Sequence, residues 1–352
     1  MTHFLRDILR QPSELQTTLD HLAASGKASL DAAVKAAQAA RRVYLTGIGS
    51  SWHAALNVSA LLQLAAHPAY LVDAAELVQF SAIPAGSVLI VISRSGRSVE
   101  IVQLLAKARE SLATIIGITN APDGTLAREA QIPIVIPIAL DHAISVNTYT
   151  TLALAAAILA ASATGSFNPA LQAALSRSFA DAARAIPGWQ QQLETSPWLA
   201  PRSTTYFLAR GSSLGSAQEA RLMWEEGVKS PATAMGAASF RHGPQEIVAK
   251  DMRFALWLDA AKMRDQDLAL ARDLRTLGAR VLLIGQRLPA NSADLSFELP
   301  TIPAEWQFLI DIIPAQLTAE KLARLSNVDP DTFRLCNFVV EDESGLLPKQ
   351  TQ

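Results

Sequence analysis

The chain has 352 residues, of which 50% are hydrophobic and 18% charged, so a disordered chain is excluded and about two domains of roughly 150 residues each are allowed. A formal net charge of −2 excludes an overall field that would attract nucleic acid or an anionic membrane. The single cysteine, Cys336, excludes a disulfide within the chain and favours a reducing compartment.

The N-terminal sequence argues against secretion. Residues 1–6 lack a basic stretch that is followed by an apolar run and a small-residue cleavage site. The most apolar stretch, 152–163, has about a dozen residues, whereas a membrane span needs about 20. We therefore expect a cytoplasmic protein whose partners include neither a membrane nor a nucleic acid.

The first half of the chain alternates helical patterns with short apolar runs. Residues 4–24 predict two short helices broken at Pro12, and an Ala-rich helix follows at 30–40. The elements predicted next are a strand at 42–46, a helix at 52–65, a strand at 88–92, a helix at 99–111, and strands at 114–119 and 132–138. Short buried strands that alternate with helices predict a parallel sheet covered on both faces.

This pattern recurs in the second half. Residues 44–51 align with 206–213 at an offset of 162, and 253–258 and 280–285 repeat the second and third strands. We interpret the recurrence as an internal duplication. The predicted domains are a helical lead-in at 1–28, a first α/β domain at 29–168, a linker helix at 169–196, a second α/β domain at 197–340 and a tail at 341–352.

Serine-bearing loops follow two strands of the first copy. Ser50 and Ser51 follow the strand at 42–46, and Ser93, Ser95 and Ser98 follow the strand at 88–92. Open α/β sheets bind ligands at the carboxyl ends of their strands, and a helix start favours an anion. One such loop can also be explained by helix capping, but two at equivalent positions favour a phosphate site.

The second copy lacks this feature. The loop after its strand at 253–258 reads Asp259-Ala260-Ala261-Lys262 and contains no serine. Only the first copy is therefore predicted to bind an anion.

A second group of polar residues follows the first predicted strand of the second copy. Glu219, Met223 and Glu226 are four and three residues apart, which places them on one helix face, although such a row is commonly a solvated surface. His242 precedes Gly243-Pro244, a turn that presents its side chain on a rigid loop, although a structural histidine is the alternative. Histidine and cysteine residues show no metal-ligand spacing, so neither a metal nor another cofactor is expected.

The sequence from Ser93 to Ser98, Ser-Arg-Ser-Gly-Arg-Ser, resembles the signature of the sugar isomerase (SIS) domain family. The tandem arrangement is similar to the isomerase half of glutamine:fructose-6-phosphate amidotransferases, whose Gly-Thr-Ser-Tyr-His-Ala resembles residues 49–54 here. The resemblance covers nearly the whole chain. It implies an α/β fold with two duplicated SIS domains, each a parallel β-sheet between helices in a flavodoxin-like three-layer αβα arrangement.

The resemblance also implies roles for individual residues. Phosphate binding carries over to Ser51, Ser93, Ser95 and Ser98, with Ser50 and Arg94 beside them, and substrate binding to Gly49 and Ser145. In that family a Glu shuttles the proton, and a His sixteen residues later opens the sugar ring. That spacing assigns these roles to Glu226 and His242, and Glu219 matches a further active-site carboxylate. The family His belongs to the neighbouring subunit, which implies a homodimer.

The sequence departs from the amidotransferases at several positions. A glutaminase domain is missing, so a full amidotransferase is not expected. Three family lysines align with Met223, Asn147 and Cys336, the last if 339–341 matches the final strand of the family. Arg94 and Arg97 replace a Gln and a Glu, either to recognise additional negative charge or as solvent-facing side chains.

These features together predict an enzyme. The predicted reaction is aldose–ketose isomerisation of a sugar-phosphate substrate, coupled to deamination or deglycation of an amino-sugar 6-phosphate, as in stand-alone glucosamine-6-phosphate deaminases. One alternative is a non-catalytic sugar-phosphate sensor, which the missing lysines favour. Another is a phosphosugar isomerase that handles no amine.

Overall fold

The computed structural model describes residues 1–67, 69–199, 204–342 and 345. The strands within them are β1 Val43–Thr46, β2 Tyr70–Leu71, β3 Val88–Ile92, β4 Thr114–Thr119, β5 Ile132–Val135, β6 Thr205–Ala209, β7 Ala232–Gly236, β8 Arg253–Trp257, β9 Arg280–Gly285 and β10 Leu295–Glu298. The helices are α1 His3–Ala23, α2 Lys27–Ala39, α3 Ser50–Leu64, α4 Ala74–Gln79, α5 Val99–Glu110, α6 Thr125–Glu129, α7 Asn147–Ala163, α8 Pro169–Glu194, α9 Ser213–Met223, α10 Ala237–Phe240, α11 Arg264–Thr276 and α12 Ile313–Leu325.

The chain divides into two compact units, each built on one sheet. The first-sheet unit comprises Glu14–Asn168 and the chain from Asp331 onward, and the second-sheet unit comprises Met1–Ser13 and Pro169–Pro330. Helix α8, which was predicted as a linker, is grouped with the second sheet. The predicted boundaries of independently folding domains stay a prediction.

Both sheets are parallel and share one topology. The strand orders are β2-β1-β3-β4-β5 and β10-β9-β8-β6-β7. Numbered from the first strand of each unit, both read 2-1-3-4-5, which is the flavodoxin-like doubly wound order. The predicted α/β class with two duplicated parallel sheets is therefore confirmed. In this order the winding reverses between β1 and β3 and between β6 and β8, and ligands bind outside the carboxyl ends of such strand pairs.

The apolar patterns of the sequence become the buried layers of these units. All five residues of β3 are buried, as expected for a central strand with helices on both faces. Helix α7, which contains the most apolar stretch, packs against α3 and is buried from Asn147 to Ala161. Within the part of the chain that the structure describes, no helix is both long and apolar enough to cross a membrane.

Helix α1 runs unbroken through Pro12, so the predicted break at this proline is wrong. Pro12 has no N–H to donate to the carbonyl of Ile8, four residues earlier. The side-chain amide of Gln11 donates to that carbonyl at 3.3 Å, and it also bonds the side chain of Gln316. A side-chain hydrogen bond thus replaces the missing backbone bond.

The C-terminal segment (residues 331–342) belongs to the first-sheet unit. The alignment of Cys336 with a family lysine depended on residues 339–341 matching a final strand, but within this segment the structure contains turns and bends and no strand. Its backbone hydrogen bond to the sheet-forming part of the unit runs from the N–H of Val99 to the carbonyl of Val340, at 3.0 Å. Val99 is the first residue of α5, so this segment contacts a helix start and not a sheet edge.

Candidate active site

The two serine loops follow neighbouring strands of the first sheet. β1 and β3 pair directly, with Thr46 opposite Val91, so both loops begin at the carboxyl ends of adjacent strands. Gly49 has φ +57, a conformation that favours glycine, and it turns the chain into α3. Ser51, Ser93 and Ser95 are buried, Ser50 and Ser98 are half-buried, and Ser98 immediately precedes α5.

Hydrogen bonds within the loop at residues 93–98, called the serine loop below, give it a fixed shape. Ser93 Oγ accepts from the N–H of Gly96 at 3.1 Å, and Ser95 Oγ accepts from the N–H of Arg97 at 3.2 Å. Gly96 has φ +63, which a side chain would disfavour. Because each serine oxygen accepts a backbone bond, its own O–H remains a donor that can point to a ligand.

The start of α6, with the preceding Gly124, packs against the serine loop. The N–H of Leu126 donates to the carbonyl of Gly96 at 3.0 Å. A Cβ atom on Gly124 would lie 2.4 Å from the backbone oxygen of Ser95, so only glycine allows this approach. The shape of the loop therefore depends on residues that have no serine signal in the sequence.

Ser145 and Arg94 also meet in the first-sheet unit. Arg94 Nη1 donates to Ser145 Oγ and to the carbonyl of Ala143, both at 3.0 Å. Arg94 was expected either to recognise negative charge or to face solvent. Its guanidinium bonds these two neutral acceptors, and its role toward phosphate stays a prediction.

Asp141 orders the segment that carries Ser145, and the sequence analysis missed it. Its carboxylate accepts from the N–H groups of Val146, Asn147 and Thr148 at 2.8 to 3.1 Å. These are N–H groups at the start of α7 that have no partner within the helix. An Asp several residues before a helix is the signal that could have identified it, although the usual capping residue stands directly at the helix start.

In the second sheet, the loop that corresponds to residues 93–98 follows β8 and contains a carboxylate of the protein itself. The carboxylate of Asp259, two residues after the end of β8, accepts from the N–H groups of Ala261, Lys262 and Met263 at 3.3, 2.9 and 2.7 Å. These backbone donors are therefore not available to a phosphate. This arrangement supports the prediction that only the first copy binds an anion.

In the second copy, the residue that aligns with Ser51 is Ser213, and its side chain forms a hydrogen bond with a buried carboxylate. Ser213 Oγ donates to Asp311 Oδ2 at 2.6 Å, and Asp311 is fully buried. Burial raises the pKa of Asp311 from its usual 3.8 to about 6, although hydrogen bonds from Ser213 and neighbouring side chains oppose this rise.

Asp311→Asn is expected to remove one source of pH-dependent stability. Because the folded pKa of Asp311 lies above 3.8, the folded protein binds the proton more tightly than the unfolded chain. This stabilisation is complete below about pH 3.8 and is lost as the pH rises through about 6, with a loss on the order of 3 kcal/mol. Urea unfolding at about pH 4.5 and about pH 7.5 measures it. A difference between variant and wild type that does not change with pH would contradict the prediction.

The two carboxylates of the second-sheet unit lie in different helical geometries. Glu219 is fully buried on α9, whereas Glu226 is half-buried in a π-helical turn, Trp224–Val228, that follows α9. The α-helical spacing that predicted one shared face ends at Met223. Lys229 closes the turn in a left-handed conformation and donates to the backbone carbonyl of Glu226. Single π-helical turns occur frequently at functional sites, and the sequence carried no signal of this one.

His242 stands on an exposed turn, as expected from the Gly-Pro that follows it. Its N–H donates to the carbonyl of Ser239 at 3.0 Å, and Gly243 has φ +125. A short 3₁₀-helix begins at Pro244. The ring is therefore presented on a constrained backbone and not packed in a core.

The predicted site residues form two groups, one in each unit. The first-sheet unit contains Gly49, Ser50, Ser51, Ser93, Arg94, Ser95, Ser98 and Ser145, and the second-sheet unit contains Glu219, Glu226 and His242. Their individual roles stay predictions.

Both serine loops lie within the part of the chain that matches a known protein family. Residues 38–161 match the family described as the SIS domain. A glutamine–fructose-6-phosphate aminotransferase (isomerizing) of Pyrobaculum aerophilum is 27% identical over 346 residues, which cover 94% of this chain and 56% of that protein. The chain thus spans about half the length of this relative.

Two solved structures share the fold. A glucosamine-6-phosphate deaminase from Thermotoga maritima has a TM-score of 0.82 at 20% identity, covering 96% of this chain and 99% of that one. A tagatose-6-phosphate ketose/aldose isomerase from Escherichia coli has a TM-score of 0.82 at 20% identity, covering 99% and 97%. At these identities the likeness concerns the fold, and together with the family match it confirms the resemblance derived from the motifs.

Proposed function

We propose that this chain, a SIS-domain protein, is an enzyme that binds an amino-sugar 6-phosphate, moves a proton between C1 and C2, and releases the amine. The observation that carries the proposal is the pre-formed serine loop at the point where the winding of the first sheet reverses. Glu226 and His242 at the family spacing supply the chemistry that such a bound substrate needs. A charged sugar phosphate does not cross membranes unaided, so we place the activity in the cytoplasm.

The serine loop binds the phosphate group in this proposal. Ser51, Ser93 and Ser95 have O–H donors at the carboxyl ends of β1 and β3, and the start of α5 adds a helix N-terminus, which favours an anion. Holding the phosphate restricts the motion of C1 and C2, which lowers the entropic part of the barrier to proton transfer. Ser95→Ala is expected to weaken phosphate binding about tenfold, because it removes one donor and one bond that shapes the loop.

Glu226 is the proposed base. A carboxylate positioned as a general base contributes roughly 10²–10⁴-fold to the rate. Glu226 takes the proton from C2 of the open-chain amino sugar and returns it to C1. A proton also passes from the amine to the C1 oxygen, so the product is a C2 ketimine with a hydroxyl on C1. Water then cleaves the C2–N bond, so that the net reaction consumes one water and yields the ketose phosphate and ammonia.

His242 is the proposed ring-opening group. An imidazole can both donate and accept a proton, which suits a group that donates to the ring oxygen and accepts from the anomeric hydroxyl. We propose a homodimer in which His242 serves the neighbouring subunit, as the family resemblance implies. The exposed turn that carries His242 supports this role, since a side chain that completes another subunit must project from its own.

Mixing two inactive variants tests the dimer. If His242 acts in the neighbouring subunit, Glu226→Gln and His242→Ala protomers that exchange freely regain up to about a quarter of the wild-type activity, because half the dimers are mixed and each has one intact site. No regain of activity after verified subunit exchange would contradict action between subunits.

A proton NMR time course with glucosamine 6-phosphate tests the reaction itself. We expect fructose 6-phosphate and ammonium to appear together, and Ser95→Ala to raise the KM. Fructosamine and galactosamine phosphates are the next substrates if that sugar is not turned over. Binding of all three without turnover would contradict the enzyme reading.

That outcome would support the second candidate, a sugar-phosphate sensor. The observation favouring it is Met223, which occupies a position of a family lysine and is fully buried. Turnover of a phosphosugar that carries no amine would instead support a plain aldose–ketose isomerase.

A further inference from the structure

Arg94 lies at a junction of three segments of the first-sheet unit. It belongs to the serine loop, and Nη1 bonds the segment of Ala143 and Ser145. Nη2 donates to the backbone carbonyl of Phe338 in the C-terminal segment, at 2.7 Å. The guanidinium carbon also lies 3.9 Å from the centre of the Phe338 ring. One side chain therefore contacts both neighbouring segments.

The C-terminal segment contacts the other end of the same loop as well. The carbonyl of Val340 accepts from the N–H of Val99 at 3.0 Å, and Val99 directly follows Ser98. This N–H is one of the helix-start donors that have no partner within α5. The segment is thus attached to the serine loop at Arg94 and again at Val99.

We infer that Arg94 is a positioning residue that holds the C-terminal segment and Ser145 against the serine loop, so that the order of this segment is coupled to the affinity of the loop for phosphate. The second half of this inference rests on the proposed function of the loop. The guanidinium suits this role because its planar fork donates to several acceptors while its face stacks on an aromatic ring.

A spin label on Cys336 measures the order of the segment directly. Cys336 is the only cysteine, is exposed, and lies two residues before Phe338, so the natural chain can be labelled at one site. Arg94→Gln removes the charge and the fork and is expected to increase the mobility of the label. Arg94→Lys keeps the charge but cannot form the fork, so a similar increase is expected.

Arg97→Gln is the matched control. Arg97 is exposed in the same loop, so its replacement removes the same charge without breaking the junction. The mobility of the label should equal that of the wild type. Trypsin cleavage after Arg334, which is exposed in the C-terminal segment, gives a second readout on unlabelled protein and should accelerate in the Arg94 variants alone.

Calorimetry with inorganic phosphate tests the coupling. Arg94→Gln should weaken phosphate binding at least fivefold and more than Arg97→Gln does, within the usual range of coupling between two sites. Phe338→Ala, which changes no charge, should weaken it in the same direction. The effects of Arg94→Gln and Phe338→Ala should not add, since both break one contact.

The outcomes separate the two proposals. Unchanged mobility and cleavage in folded Arg94 variants would overturn the junction. Increased mobility with phosphate affinity equal to that of Arg97→Gln would overturn the coupling. A wild-type protein that binds no phosphate would contradict the proposed function and the coupling, whereas the label would still decide whether Arg94 holds the segment.

Discussion

Glu226→Gln is expected to lower turnover by roughly 10²–10⁴-fold while phosphate binding remains intact. Glutamine has the same shape as glutamate but cannot accept the C2 proton. The backbone carbonyl of Glu226, which accepts from Lys229, is unchanged by this substitution, so the π-helical turn should persist. Steady-state kinetics with the substrate identified by NMR, together with phosphate calorimetry, measure both parts.

Glu225→Gln is the matched control for this experiment. Glu225 is the preceding residue of the same turn, but it is exposed and pairs with Arg221 at 2.6 Å. An exposed ion pair four residues apart contributes about 0.3–0.5 kcal/mol, so this variant should retain nearly full activity. Full turnover in Glu226→Gln, or an equal loss in both variants, would show that Glu226 is not the base.

Gly124→Ala is expected to damage the phosphate loop without changing any residue that touches the ligand. The new Cβ would lie 2.4 Å from the backbone oxygen of Ser95 and 3.1 Å from that of Ala121. The loop must shift to relieve this overlap, which displaces the serine hydroxyls. We expect a loss of about 1–3 kcal/mol in the free energy of unfolding and a loss of at least tenfold in phosphate affinity.

Gly188→Ala provides the control for this glycine substitution. Gly188 lies inside α8, and a Cβ added there meets no atom within 4 Å. Alanine in a helix interior should raise the free energy of unfolding by about 0.5–1 kcal/mol and leave phosphate binding unchanged. Thermal unfolding and phosphate calorimetry on both variants make the comparison. Equal phosphate affinity in Gly124→Ala and wild type would show that the loop does not depend on this close approach.

The central strands were predictable because runs of consecutive apolar residues indicate that they are buried. β3, β4 and β9 appear within the runs at 88–92, 114–119 and 280–285. Three of the four edge strands, β2, β7 and β10, were missed, whereas β5 lies within the predicted strand at 132–138. An edge strand has one neighbour and partial cover, so it needs no continuous apolar run; β2 has only two residues, and every residue of β7 is half-buried.

The candidate site was predictable where the residue type itself carries the chemistry. Serines at a strand end and a His before Gly-Pro are visible as motifs. The π-helical turn at Glu226 and the carboxylate of Asp141 at the start of α7 were not visible, because they depend on backbone geometry and on groups several residues apart. The continuous helix through Pro12 depended likewise on the side chain of Gln11.

The sequence by itself determined the duplication, the parallel α/β class and the positions of both serine loops, since these follow from hydrophobic periodicity and residue type. Only the tertiary structure decided that Arg94 bonds Phe338 and Ser145, that Gly124 supports Ser95, and that Asp259 fills the loop of the second copy. The physical reason is that donors and acceptors far apart in the chain pair only after the sheets bring them together, and no local pattern specifies which partner each one meets.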